Sequence, residues 1–136
     1  MCACNQLRRA TRGITQLYES ALASSGLKAT QLPILVGLGS AGDLSVSTLA
    51  DALALDRTTL TRNLKVLESR GLLQTRDSED DARVRMVSLT LEGSDVLSDA
   101  LLRWEEMQAT VEERFGRDRL TALYEELEAL GEVVAA

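Results

Sequence analysis

The residues of this chain best suited to chemistry lie on one short polar stripe. Arg57, Thr58, Thr59, Thr61, Arg62 and Lys65 follow one another closely. Thr58, Thr61, Arg62 and Lys65 recur at i, i+3, i+4 and i+7, the spacing of one helix face, with Thr59 beside the helix start. The stripe offers hydroxyls, a guanidinium and an ammonium, with no carboxylate among them. Such a face can bond to phosphate oxygens and to base edges. Leu60, Leu64 and Leu67 form a second stripe at i, i+4 and i+7 that would anchor the helix to a core. The chemistry implied is recognition: a helix that enters the major groove of DNA. The plainer reading of Arg62 and Lys65 is a solvated charged face. Arg57 stands at a helix start, where a cation opposes the helix dipole, so a phosphate contact would account for it.

A second candidate site is Cys2 and Cys4, a C-x-C at the start of the chain. It is either incidental or a thiol switch or soft-metal site. Two residues apart, the thiols are badly placed to bridge to each other, and a bond between subunits is easier to form. The chain has no histidine, which excludes a His-built zinc site and leaves a thiol enzyme without a His partner. No metal or cofactor is expected.

These residues need a frame. Apolar residues Leu7, Ala10, Ile14, Leu17 and Ala21 predict a helix from Asn5 to Ala23, ended by Ser24-Ser25-Gly26. Thr30 is expected to cap a helix from Gln31 to about Gly39, with Pro33 in its first turn. A short strand over Leu44–Val46 follows. Ser47 is expected to cap a helix from Thr48 to Ala54, and Asp56 one from Arg57 to about Arg70, with Gly71 at its C′ position. Leu72–Arg76 and Val84–Leu89 read as the strands of a hairpin around the polar loop 77–82. Thr90 caps a long helix, Leu91 to Phe115, stopped by Gly116. A last helix runs from Arg117 to Val133. The class is mainly α (α+β): a winged helix-turn-helix with long N- and C-terminal dimerisation helices.

The composition permits this reading. The 136 residues suit one domain with helical extensions. No run of about 18 apolar residues is present, so no membrane span is expected. The N-terminus lacks the apolar core of a secretory signal, which points to a cytoplasmic, reducing setting. The net charge of −6 argues against nucleic acid until its distribution is read. Residues 1–55 and 56–90 each carry +1, whereas 91–136 carry four basic and twelve acidic side chains, −8. Local placement governs phosphate contact, although an acidic body weakens non-specific binding. The organisation expected is a dimerisation helix at 1–29, a reading unit at 30–90 and dimerisation helices at 91–136. The amphipathic helices outside the reading unit need a surface, and the same helices of a second copy supply one. Two-fold symmetry would set two reading helices roughly 34 Å apart, one DNA turn.

With these residues in view, the chain resembles the MarR (multiple antibiotic resistance regulator) family of bacterial transcription regulators. The resemblance rests on Asp56-Arg57-Thr58-Thr59-Leu60-Thr61-Arg62-Asn63-Leu64, on Leu67-Glu68-Ser69-Arg70-Gly71-Leu72-Leu73, and on Asp81-Ala82-Arg83 followed by Leu89-Thr90-Leu91-Glu92-Gly93. It implies a homodimer on a pseudo-palindromic operator, commonly a repressor, without catalysis. It implies that Arg83 at the wing tip enters the minor groove with Asp81 holding it. Glu79, Asp80 and Asp81 crowd that loop and should repel phosphate, and Arg85 and Arg76 are candidates to compensate. Effector release is implied too. Family members that sense oxidants use cysteines near the first helix, as Cys2 and Cys4 are here. Others bind aromatic acids between the dimer helices and the reading unit, for which Arg12, Tyr18, Trp104 and Gln108 are candidate lining residues. Two other classes compete: a winged-helix interaction module that does not bind DNA, and a small thiol-redox protein using Cys2 and Cys4.

Overall fold

The computed structural model describes residues 1–135. Helix α1 spans Ala3–Leu22 and runs into a 3₁₀ turn, Ala23–Ser25. It is followed by α2 (Leu32–Ala41), β1 (Leu44–Ser45), α3 (Val46–Leu53) and α4 (Arg57–Ser69). Strands β2 (Leu73–Asp77) and β3 (Arg85–Leu89) form the hairpin, and α5 (Leu91–Phe115) and α6 (Arg117–Ala135) complete the described chain. Among the described residues no helix is long and apolar enough to cross a membrane.

The sheet is antiparallel with the order β1-β3-β2. Leu44 pairs with Val87 on one side of β3, and Thr75 pairs with the same Val87 on the other. That puts Leu73, Val87 and Leu89 on the face that meets the helices, where Leu73 and Val87 are buried. Leu35, Leu49, Leu60 and Leu67 close the core from α2, α3 and α4. The chain can turn back after α4 because Gly71 adopts φ +76°, a left-handed conformation that only glycine takes cheaply. Thr90 then starts α5 by accepting the Gly93 N–H at 2.9 Å while donating to the Gly71 carbonyl at 2.6 Å. Gly93 itself is sterically fixed: a Cβ there would lie 1.9 Å from the Leu72 carbonyl oxygen.

Element ends differ from expectation where the capping group is a different residue. Helix α3 is capped by Ser45, not Ser47: the Ser45 hydroxyl accepts the Thr48 N–H at 3.1 Å. The strand therefore passes straight into the helix, and Val46 belongs to the helix. Thr30 does not cap α2. Gln31 holds that position and accepts the Lys28 N–H on its Oε1 at 3.0 Å, inside a turn. Helix α1 begins at Ala3 and α6 continues to Ala135, each two residues beyond expectation.

Helices α1 and α6 both pack on α5. Within this single copy they bury little: Leu22 alone in α1 and Leu120 alone in α6. Leu7, Ala10, Ile14, Leu123, Tyr124 and Leu127 instead line an apolar cleft of about 600 Å³ between the long helices.

Candidate nucleic-acid interface

The interface is built on α4. Asp56 is in extended conformation and its Oδ1 accepts the Thr59 N–H at 2.7 Å, which fixes the helix start. This bond, joined by the Thr59 hydroxyl, holds the Asp56 carboxyl below its usual pKa range. Leu60, Leu64 and Leu67 are buried, so the opposite face of the helix is turned outward. Arg57, Thr58, Thr61, Arg62 and Lys65 are all exposed there and line one shallow concavity of about 430 Å³. None of its three cations forms an ion pair among the described residues. Thr59, expected beside the helix start, donates its hydroxyl to Asp56 Oδ2 at 3.0 Å as part of the cap.

The wing extends beside α4. Its tip is closed by Ser78 N–H donating to the Val84 carbonyl at 2.8 Å. Asp81 takes three bonds from Arg83: the backbone N–H at 3.0 Å, Nε at 3.1 Å and Nη2 at 3.2 Å. These bonds, the side-chain ones first, depress the Asp81 pKa. The Arg83 side chain stays 90% exposed, a guanidinium oriented yet open to solvent. Glu79 and Asp80 are exposed at the same tip. Arg85 donates to Asp77 Oδ1 at 3.0 Å and to Thr75 Oγ1 at 2.8 Å. Arg76 is tied to Asp43 at 2.8 Å. Both guanidinia therefore already have partners in the chain.

Sequence reasoning passed over the fastenings at the far end of α4. The Glu68 carboxylate accepts the Thr75 N–H at 3.0 Å and the Thr75 hydroxyl at 2.9 Å. Arg70 donates to the Ser25 and Gly26 carbonyls at 2.8 and 3.1 Å. No local pattern signals either bond, because each crosses a turn or joins distant segments.

The candidate ligand residues divide. Tyr18 and Trp104 line a cleft of about 200 Å³ with Ile14, Leu32 and Pro33. Gln108 is beside it, accepting from the Tyr18 hydroxyl and donating to the Tyr124 hydroxyl at 3.1 Å. Burial, with Tyr124 and Glu112 nearby, raises the Tyr18 pKa, so the phenol stays protonated as the donor. Arg12 is exposed on α1 and lines neither this cleft nor the larger one. Cys2 and Cys4 are free, exposed thiols at the start of α1.

Comparison with known proteins bears on this geometry. The MarR family model matches residues 25–84, from the end of the 3₁₀ turn through the wing tip. The chain is similar to the transcriptional regulator MosR of M. tuberculosis, solved in complex with DNA: 36% identity, 96% of this chain and 98% of that one, TM-score 0.80. It is 33% identical over 91 residues to the organic hydroperoxide resistance transcriptional regulator of Bacillus subtilis, covering 67% of this chain and 62% of that regulator's length. The PcaV regulator of Streptomyces coelicolor, in complex with its natural ligand, shares the fold with a TM-score of 0.88 over 96% of this chain and 92% of that one, at 21% identity. With its reading helix, wing and long flanking helices in the same order, the chain belongs to the MarR family of DNA-binding transcription regulators.

Proposed function

We propose that this chain is a homodimeric repressor that binds a pseudo-palindromic operator in the cytoplasm and has no catalytic role. The observation that carries the reading is the two-sided character of α4: leucines buried on one side, and on the other Arg57, Arg62 and Lys65 exposed and, among the described residues, without an ion pair. Thr58 and Thr61 supply hydroxyls between those cations. Arg83, held by Asp81, reaches the minor groove. Residues 30–90 form the reading unit, and 1–29 with 91–136 pair the two copies through the apolar cleft. The DNA complex of MosR supports the same use of the fold.

The test is a mobility-shift titration against DNA from upstream of its own gene at two salt concentrations. Retarded complexes that weaken steeply with salt are expected, since each neutralised phosphate adds to the slope. A chain that retards no upstream fragment at low salt would instead be the interaction module considered above.

Release of DNA is assigned to oxidation of Cys2 and Cys4. Their exposure and the hydroperoxide relative support this choice. A hydroperoxide titration should release operator from the wild-type protein and not from the Cys2→Ser, Cys4→Ser variant. A small aromatic acid acting through the Tyr18–Trp104 cleft is the second reading, favoured by the phenol and indole that share that cleft. It would release DNA from both proteins alike.

A further inference from the structure

The inner face of the β2–β3 hairpin changes character along its length. Near the body it carries Leu73, Val87 and Leu89, which pack on the helices. Farther out, the positions on that same face are Thr75, Asp77 and Arg85, since side chains two residues apart along a strand share a face. The end of α4 meets this polar segment. Glu68 accepts both the N–H and the hydroxyl of Thr75, and Arg85 binds the same Thr75 hydroxyl oxygen at 2.8 Å and Asp77 at 3.0 Å. A continuous run of bonds therefore leads from the reading helix across β2 to β3, ending two residues from Arg83.

We propose that Glu68, Thr75 and Arg85 are positioning residues that clamp the wing to the reading helix, and that Arg85 serves DNA recognition through this clamp and not through a phosphate. The proposal rests on the DNA-binding reading above. Beyond Val87 the hairpin carries no buried side chain, so the angle of its outer part depends on polar bonds, the Arg76–Asp43 pair and this run from Glu68 among them. Reading helix and wing enter different grooves, so their relative angle decides whether both can engage one operator. Holding that angle before binding lowers the ordering cost on DNA.

The sign of one mutation separates this from electrostatics. Glu68 is an anion on a helix that faces phosphate, so by charge alone Glu68→Ala should tighten binding. The clamp predicts that it weakens operator binding, by about five- to tenfold, with little change in thermal midpoint. Glu68→Gln keeps an oxygen acceptor for Thr75 and should retain most of the affinity. Arg85→Ala should weaken binding in the wild-type background and add little in Glu68→Ala, and Arg83→Ala should cost less in Glu68→Ala than in wild type. Thr75→Val, a β-favouring substitution, should weaken binding in the same direction, which covers the case of a poorly folded Glu68 variant. The idea is overturned if Glu68→Ala and Thr75→Val leave affinity equal or higher, or if the Arg85 and Glu68 effects simply add. Wild-type protein that binds no upstream DNA would instead refute the DNA-binding reading, which keeps the two failures apart.

Discussion

The reading unit and the long helices around it are built from similar leucine-rich sequence, yet they finish their cores differently. In α2 and α4 the apolar stripe is sealed within the chain, with Leu35, Leu60 and Leu67 at 0% exposure. In α1 and α6 the stripe is half open: Ile14 is 42% exposed, Leu123 40% and Leu127 41%. The polar faces differ as well. Among the described residues helix α4 leaves Arg57, Arg62 and Lys65 unpaired, whereas α5 pairs Arg103 with Asp99 along its own surface. A sealed apolar face with an open basic one describes a surface for a polar partner. An open apolar face describes one for a partner of its own kind, because contiguous exposed apolar area marks an interaction surface.

The contrast can be broken or sharpened by mutation. In the sealed half, Leu67→Ala should cost about 2–5 kcal/mol of stability, from lost burial and the cavity left behind. In urea titrations this loss should be the same at every protein concentration. Leu123→Glu with Leu127→Glu should do the opposite, leaving the reading unit folded while weakening pairing by a hundredfold or more, about 2.7 kcal/mol. Sedimentation equilibrium would show monomers, and a dimer that persists would remove the contrast. Arg62→Ala should lower operator affinity by about 1–3 kcal/mol at unchanged thermal midpoint.

The smallest effect concerns pH. The Asp56 carboxyl is depressed in the folded state by the Thr59 N–H, so the unfolded chain binds its proton more readily. The cap's contribution is therefore full above about pH 4 and is lost as pH falls through the lowered folded value. Asp56→Ala should be less stable than wild type at neutral pH and converge with it in acid, as thermal melts across that range would record.

How much of this could be read from sequence follows from the range of each interaction. The α4 cap and its leucine stripe were legible, because Asp56, Thr59 and the leucines are within one or two turns of each other. The Thr90 cap and the bounds of α5 were legible for the same reason. Ser45 and Ser47 are both good caps, and only the path of β1 decides between them. Thr59 was expected beside the helix start, and the adjacent Asp56 carboxylate takes its hydroxyl into the cap. Arg85 was predicted as a DNA contact because a wing cation has that use, and its partners Asp77 and Thr75 become neighbours only when the hairpin closes. The Tyr18–Gln108–Tyr124 chain joins three helices and leaves no periodic trace.

The close approach at Gly93 has a mechanical consequence. With backbone against backbone at Leu72, the long fifth helix has no room to pivot where it leaves the hairpin, so it serves as a rigid lever welded to the wing. In the proposed dimer, a signal that changes the distance between two operator-bound copies would then act by tilting these helices as units, and a small rotation is magnified over a helix about 37 Å long.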